Sequence, residues 1–272
     1  MNPYLSILRP VNAVMGFVAT IISAFIGYDL FFRHHLLAVI AAGIVVMLVI
    51  GGGNILNDIV DFQTDKVNHP ERPIASGRIG LKAASYYFFL LFSLAVAISG
   101  LVLSFYSFMV VIIAEGLLVL YEFRAKGMGL AGNTIISILV GLIFIFGGLA
   151  VNAVLKMIIL FVMATLANLS REIIKDIQDI HGDVDRKTFP KTHGIDAAFY
   201  LSLAMIIVAV SISYLPYYFS IFSYYYLVFV IVSDALFIYS ALGAKHSPGV
   251  SQQISKTAMI VGLLAFAMGE VL

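Results

Sequence analysis

Two short acidic stretches decide how this chain is interpreted. Residues 57–65 read NDIVDFQTD, and residues 176–183 read DIQDIHGD. Each stretch holds three aspartates separated by three and then four positions, a spacing that places side chains on one face of an α-helix. One such cluster is usually only a solvated helix end, but two clusters with the same spacing indicate a functional site. The six residues are Asp58, Asp61, Asp65, Asp176, Asp179 and Asp183.

The composition predicts a membrane protein. Of the 272 residues, 61% are hydrophobic and only 11% are charged, whereas a soluble domain carries about 25% charged residues. The formal net charge of +1 argues against nucleic acid as a partner. Because the chain has no cysteine, disulfides and zinc–thiolate sites are excluded. We expect one integral-membrane domain over residues 1–272, whose first apolar segment is retained and not removed as a signal peptide.

Apolar segments long enough to cross a membrane, about 20 residues each, predict an all-α fold with nine transmembrane helices. Segments three and four are separated only around Ser104. Of the 16 basic residues, all but Arg33 and Lys156 fall on one side of these segments. The side rich in Lys and Arg is normally cytoplasmic, so we expect both aspartate clusters to open to the cytoplasm, with the N-terminus inside and the C-terminus outside. The segments are residues 11–28, 36–59, 83–103, 105–121, 130–150, 155–174, 197–215, 224–242 and 254–271.

The predicted helices divide into two similar halves. Each half carries an aspartate cluster at the cytoplasmic end of its second helix. Each cluster is followed by a basic loop with proline, HPERPIASGR at residues 69–78 and DRKTFPKTHG at residues 185–194. A site between repeated halves is a known arrangement in membrane proteins. The pattern therefore predicts a central cavity with the two clusters facing each other.

Carboxylates crowded into one cavity need cations, because like charges raise each other's pKa. Oxygen ligands favour Mg²⁺, which normally shares its coordination shell with a substrate phosphate. Arginine and lysine side chains close to the clusters suit phosphate oxygens, although membrane anchoring is the alternative for any one of them. The candidates are Arg72, Arg78, Lys126, Arg171 and Lys175, whereas Lys245 and Lys256 are expected to be anchors only.

These motifs resemble those of the UbiA superfamily of intramembrane prenyltransferases. NDIVDFQTD matches the family pattern NDxxDxxxD, and DIQDIHGD matches DxxDxxxD. Tyr121 and Lys126 resemble the tyrosine–lysine pair of the family, with one residue more between them than in the usual YxxxK. The resemblance covers almost the whole chain. It implies nine helices around a cavity, Mg²⁺ as cofactor and a polyprenyl diphosphate as donor.

Within the superfamily, three stretches are most similar to archaeal members that make membrane lipid. They are LRPVNAVMGF at residues 8–17, NHPERPIASGRI at residues 68–79 and REIIKDIQDIHGD at residues 171–183. The resemblance implies prenyl transfer from geranylgeranyl diphosphate to geranylgeranylglyceryl phosphate, which forms the second ether bond of archaeal lipid. The alternatives are a UbiA-type enzyme with an aromatic, quinone-precursor or chlorophyllide-like acceptor and, from a different class, a membrane transporter.

The resemblance also implies roles for single residues. Asp61, Asp179, Lys126 and Tyr121 are the expected catalytic residues, and the six aspartates are the expected Mg²⁺ ligands. The expected diphosphate-binding residues are Asn54, Asn57, Arg72, Arg78, Lys126, Arg171 and Lys175.

A second phosphate, on the acceptor, needs a cation of its own, and Arg9 is the candidate. It is the only basic residue before the first segment, and Asn12 is near enough to assist. The roles of Glu115, Asp234 and the loop histidines His69, His181 and His193 stay open.

Overall fold

The described part of the chain, residues 2–28, 35–180 and 187–271 of this computed structural model, is helical and contains no strand. The all-α prediction is therefore confirmed. The helices are α1 Pro3–Ser6, α2 Pro10–Tyr28, α3 Leu36–Val60, α4 Phe62–Asn68, α5 Leu81–Val102, α6 Phe105–Phe123, α7 Leu130–Leu149, α8 Val154–Gln178, α9 Phe189–His193, α10 Ile195–Ser213, α11 Leu215–Tyr218, α12 Tyr224–Gly243 and α13 Pro248–Val271.

Eight of the described helices are long and apolar enough to cross a membrane. They are α2, α3, α5, α6, α7, α8, α10 and α12. The segment predicted as a ninth span forms α13, which is helical over 24 residues but is not among the eight. Near its start α13 carries SQQISK at residues 251–256, in which five of the six residues are polar or charged. A ninth transmembrane helix therefore stays a prediction.

The boundary between the third and fourth predicted spans lies where the sequence placed it. Helix α5 ends at Val102 and α6 begins at Phe105. Ser104 is the N-cap of α6, and its hydroxyl accepts a hydrogen bond from the backbone N–H of Ser107 at 3.2 Å. An N-cap serine satisfies one of the unpaired N–H groups of a helix start, so this single residue separates two adjoining apolar runs.

The helices pack around a central cavity of about 530 Å³. Helix α2 packs against α3, α7 and α13, while α8 packs against α7 and α10. Glycine permits close approach where α3 meets α5, because a Cβ at Gly52 would lie 2.5 Å from the ring of Phe92. The cavity wall is apolar over most of its surface, with residues such as Val49, Leu142 and Met163. Its charged residues gather mainly at one end.

The spacing of the first motif predicted that its three aspartates lie on one continuous helix, but the structure interrupts that helix at Asp61. Helix α3 ends at Val60, and Asp61 lies between it and α4 with φ −83° and ψ 6°. The backbone N–H of Asp61 still bonds to the carbonyl of Asn57 at 2.9 Å, and the N–H of Asp65 bonds to that of Asp61 at 2.8 Å. The chain thus keeps its direction while the dihedral angles of Asp61 leave the helical range, in a region where many active-site residues are found.

The second motif ends its helix in the same way. Helix α8 stops at Gln178, and Asp179 follows as its C-cap. Asp183 and His181 lie outside the described residues, so the expected third aspartate of this motif stays a prediction.

Candidate functional site

Two of the three aspartates in the first cluster are buried, and each of these is paired with arginine. Asp58 is 2% exposed and Asp65 is 4% exposed. The Nη1 of Arg72 donates to both carboxylate oxygens of Asp65, at 2.8 and 2.7 Å, and lies 3.6 Å from Asp58. Buried carboxylates are stable as anions only when they are paired in this way. Arg72 thus joins the first and last aspartates of the motif.

The middle aspartate is held by lysine, as part of a network that includes an unpredicted acid. The Nζ of Lys126 lies 2.7 Å from Asp61 Oδ2 and 2.7 Å from Glu122 Oε2. The side-chain amide of Asn57 donates to Glu122 at 3.1 Å and to Asp61 at 3.4 Å. The ring of Tyr121 has its centroid 6.0 Å from the Lys126 Nζ. Residues from the end of α3, the end of α6 and the α6–α7 loop therefore form one charged network.

Sequence reasoning missed Glu122, although one signal was available. Glu122 stands four residues before Lys126, the spacing at which a helical glutamate and a lysine meet, and the structure pairs them. Glu122 is 7% exposed and lines the cavity. Glu122 is one of the two carboxylates that bind the Lys126 ammonium group, and together with Asp61 it holds this lysine in place in the absence of a ligand.

Arg9 joins the first cluster and does not stand apart from it. Its Nη2 lies 2.7 Å from Asp58 and 3.1 Å from the side-chain oxygen of Asn57. The side chain of Asn54 donates to the carbonyl of Leu8 at 2.9 Å and so fixes the preceding residue. Arg9 itself has a φ of 50°, which turns the chain between α1 and α2. Arg9 therefore lies within reach of the first cluster, and its expected role toward a second phosphate stays a prediction.

The second cluster meets the start of α7 and the α6–α7 loop. Asp176 accepts a hydrogen bond from the Asn133 side chain at 2.7 Å. The backbone N–H of Lys187, after the second motif, donates to the Gly127 carbonyl at 3.3 Å. The loop that supplies Lys126 to the first cluster therefore also contacts the segment that follows the second. Both clusters lie at the same end of the helix bundle.

Gly129 makes this loop contact possible. Its φ is 56°, a left-handed value, and a Cβ there would lie 2.7 Å from the Lys187 carbonyl oxygen. We expect Gly129→Ala to lower the predicted prenyl-transfer activity about tenfold or more, because backbone strain of about 1–3 kcal/mol would displace the loop that carries Lys126.

The matched control is Gly127→Ala, since a Cβ at Gly127 would meet no atom within 4 Å. Steady-state rates and the yields of folded protein in detergent would be compared for both variants. Equal activity of the two variants would show that the loop contact does not position the site.

Three more charged residues line the cavity on α8. The Nη1 of Arg171 lies 2.7 Å from Glu172, and the Nζ of Lys175 lies 3.8 Å from the same carboxylate. Glu172 is the second acid that the sequence analysis missed. It stands three residues before Lys175, a spacing at which side chains on a helix meet. Lys256 of α13, expected to be only an anchor, also lines this cavity.

The remaining candidates are divided between the cavity and the surface. Asn12, Asn54, Asn57 and Tyr121 line the cavity. Arg78 does not join the cluster: it is exposed, and its guanidinium contacts the Glu71 carbonyl and the Ser76 hydroxyl within its own loop.

The groups whose roles stayed open also separate. Asp234 lines the cavity and accepts a hydrogen bond from the Ser213 hydroxyl at 2.7 Å. Glu115 has one buried oxygen for which no hydrogen-bond partner is found among the described residues. His69 lies 3.5 Å from the exposed Glu71, and His193 stacks on Phe189 with ring centroids 4.4 Å apart. Neither described histidine therefore reaches the aspartates.

The arrangement suits the binding of anions together with hard cations. Within the described residues, no three acidic or histidine side chains stand close enough together to enclose a metal ion unaided. The carboxylate oxygens described above for the two clusters, Glu122 and Glu172 face a lysine, an arginine or an amide instead. Such a site can hold a metal ion if an anionic ligand takes over the protein cations and completes the coordination shell.

Comparisons with known proteins agree with this geometry. Residues 16–263 match the UbiA prenyltransferase family. The digeranylgeranylglyceryl phosphate synthase of Methanosphaera stadtmanae is 40% identical, over 99% of both chains. That of Methanothermobacter thermautotrophicus is 37% identical, over 99% of this chain and 96% of its own length.

Solved structures show the same fold. A structure of digeranylgeranylglyceryl phosphate synthase superposes with a TM-score of 0.84 at 32% identity, covering 99% of this chain and 98% of the other. A UbiA homologue from Archaeoglobus fulgidus bound to GPP and Mg²⁺ superposes with a TM-score of 0.66 at 16% identity, over 99% of both chains. The match along most of the chain, together with full-length relatives, shows that this protein is a member of the UbiA prenyltransferase family.

Proposed function

We propose that the protein transfers a geranylgeranyl group from geranylgeranyl diphosphate to geranylgeranylglyceryl phosphate and so forms the second ether bond of archaeal membrane lipid. The observation that carries the proposal is an apolar cavity of about 530 Å³ whose charged end is lined by Glu122 and Glu172, each paired with a cation. The two full-length relatives with 40% and 37% identity support the choice of acceptor, because both are synthases of this lipid.

The residues present fit Mg²⁺ as the cofactor. The donors offered by the two motifs are carboxylate oxygens, with the amide of Asn57 beside them, and hard oxygen donors are the ligands that Mg²⁺ prefers. Asp58, Asp61, Asp65, Asp176 and Asp179 would hold the ions, with Asp183 as a further candidate. Bound Mg²⁺ would neutralise the diphosphate as it leaves.

The cations of the first cluster would bind the donor. Arg72, Lys126 and Arg9 now face carboxylates at 2.7 Å. Phosphate oxygens offer the same geometry to these side chains. Their charge would stabilise the diphosphate as the bond between its oxygen and the first prenyl carbon breaks.

The cavity itself would protect the reacting carbon. Its apolar wall excludes water, the competing nucleophile. Tyr121 lines the cavity, and its aromatic ring would stabilise positive charge on the allylic carbon. The acceptor hydroxyl forms the new C–O bond to that carbon and gives its proton to the released diphosphate, which also takes the electron pair of the broken bond.

The proposed arrangement in the membrane has nine spans, with α13 as the last, in two similar halves. The Lys and Arg distribution supports a cytoplasmic site, with the N-terminus inside and the C-terminus outside. Because the described clusters lie at one end of the bundle, a single orientation would expose both to the same side.

The proposed function is tested with the purified protein in detergent. Geranylgeranyl diphosphate, geranylgeranylglyceryl phosphate and Mg²⁺ should yield the doubly prenylated glyceryl phosphate, seen by mass spectrometry, with one pyrophosphate released per product. Turnover of an aromatic acceptor with no product from the glyceryl phosphate would reject this acceptor. Solute flux into liposomes without pyrophosphate release would support the transporter instead.

A further inference from the structure

The charged residues that line the cavity form two groups with different charge balances. Arg9 and Glu122 belong to the first cluster, where they contact Asp58 and Asn57. The second group consists of Arg171, Lys175 and Lys256, with Glu172 as its acid, and is called here the α8–α13 group. Asp234, on α12, belongs to neither group.

The cations of the first cluster are matched by acids. Arg72 pairs with Asp65 and contacts Asp58, while Lys126 pairs with Asp61 and Glu122. Four carboxylates thus stand against three cations, Arg9 included. Without further positive charge this cluster cannot attract an anion, which is consistent with a site that works with metal ions.

The α8–α13 group has the opposite balance. Glu172 is its one cavity-lining acid, and it pairs with Arg171 at 2.7 Å and with Lys175 at 3.8 Å. Lys256 approaches from α13, close enough for the charges of Arg171, Lys175 and Glu172 to act on it. Three cations beside one acid leave a surplus of about two positive charges next to an apolar cavity, which is costly unless an anion binds there.

The acids of the second motif do not cancel this surplus within the cavity. Asp176, on α8, accepts a hydrogen bond from the Asn133 amide, and Asp179 is the C-cap of α8; neither is part of the cavity wall. The buried Nε of Arg171 finds no hydrogen-bond acceptor among the described residues. One donor of the α8–α13 group is therefore available toward a ligand.

We propose that the α8–α13 group binds the phosphate of the acceptor lipid, with Lys256 as the residue that is specific for it. This inference rests on the proposed function. A phosphate monoester carries a charge of about −1.5 to −2 near neutral pH, which matches the surplus. The diphosphate of the donor has its own partners in the first cluster, so the two phosphate-bearing substrates are bound by two separate sets of cations.

The position of Lys256 argues against a role as a membrane anchor. A basic residue that anchors a helix lies at the interface and points to the lipid headgroups. Lys245 fits that description, since it is exposed in the loop before α13 and pairs with Asp196. Lys256 instead lies two turns into α13 and lines the cavity.

The test combines a change in the protein with a change in the substrate. Lys256→Gln removes the charge and nearly keeps the length of the side chain, and we expect the KM for geranylgeranylglyceryl phosphate to rise about tenfold or more, a loss of about 1.4 kcal/mol. The KM for geranylgeranyl diphosphate should stay within about twofold. Lys256→Arg should restore most of the affinity, because the charge returns.

The same variant is then compared on geranylgeranylglycerol, an acceptor without the phosphate. If Lys256 binds the phosphate, Lys256→Gln and the unaltered enzyme should use this poor acceptor equally well. Lys245→Gln is the matched control and should leave the KM for both acceptors unchanged. The melting temperature of each variant in detergent verifies that the fold is intact.

Several results would overturn the inference. An unchanged acceptor KM in Lys256→Gln would show that Lys256 is only a membrane anchor. An equal rise in the donor KM would show that the α8–α13 group binds the diphosphate. An equal loss on the acceptor without phosphate would indicate a merely structural role. If the unaltered enzyme fails on the glyceryl phosphate but prenylates an aromatic acceptor, the proposed function itself fails, which this comparison distinguishes from a failure at Lys256.

Discussion

Asp61→Ala is expected to abolish turnover, and Asp179→Ala is expected to do the same, while both proteins still insert and purify. Asp61 links the two parts of the first network, because its carboxylate holds Lys126 at 2.7 Å and accepts from Asn57 at 3.4 Å. Asp179 occupies the equivalent position after α8. If the two motifs share the metal ions, neither can replace the other, and the loss should be at least about a hundredfold.

Product formation from both lipid substrates is measured at saturating Mg²⁺. The control is Asp196→Ala, which removes an exposed aspartate that pairs with Lys245, neither of which lines the cavity. Its rate should stay near that of the unaltered enzyme. Full activity of either motif variant, or full activity with excess chelator, would show that the protein does not use a site with two aspartate clusters.

Lys126→Ala is expected to reduce turnover of the donor about a hundredfold or more, an effect far larger than that of Lys245→Ala. Lys126 is the cation that the structure brings deepest into the first network, with a side chain only 10% exposed. A pre-positioned cation stabilises developing negative charge without reorganisation, and its removal costs about 10²–10³ in rate. Lys245 is an exposed lysine with one surface partner and supplies the baseline.

Removal of Lys126 also leaves two carboxylates facing each other, so a loss of folding has to be separated from a loss of chemistry. The double variant Lys126→Ala/Glu122→Gln removes this repulsion, because Glu122 becomes neutral. We expect the double variant to regain the stability of the parent protein but not its rate. Recovery of the rate in the double variant would mean that Lys126 acts only as the partner of Glu122.

Much of the fold was predictable because one physical rule dominates in a membrane. Backbone groups have to bond within each helix, so apolar runs translate directly into helices such as Leu36–Val60. Ser104 separated two of these runs as expected. The prediction was weakest at α13, where polar residues in the first turns reduce the apolar length.

Site residues could be predicted where a sequence motif repeats, but not where residues distant in the sequence are brought together only by folding. The doubled aspartate spacing identified two chain segments that the structure places at the same end of the bundle, where Asn57, beside Asp58, lines the cavity. Glu122 and Glu172 were missed because a single acid near a helix end is an ordinary feature. Arg9 reaches Asn57 across 48 positions of the chain, and no local pattern carries that information. The same reason explains why Lys256 was expected to be an anchor.

The charged end of the cavity also has a consequence for the membrane as a whole. Apart from Asp234, the charged residues of the cavity wall lie near the helix ends on one side of the bundle, and the rest of the wall is apolar. Under the proposed function, both substrates therefore enter with their headgroups on that side and their hydrocarbon chains within the bilayer. The finished lipid is left in the same leaflet, so this enzyme expands only one half of the bilayer. Even growth of the membrane then requires a separate route that carries lipid to the opposite leaflet.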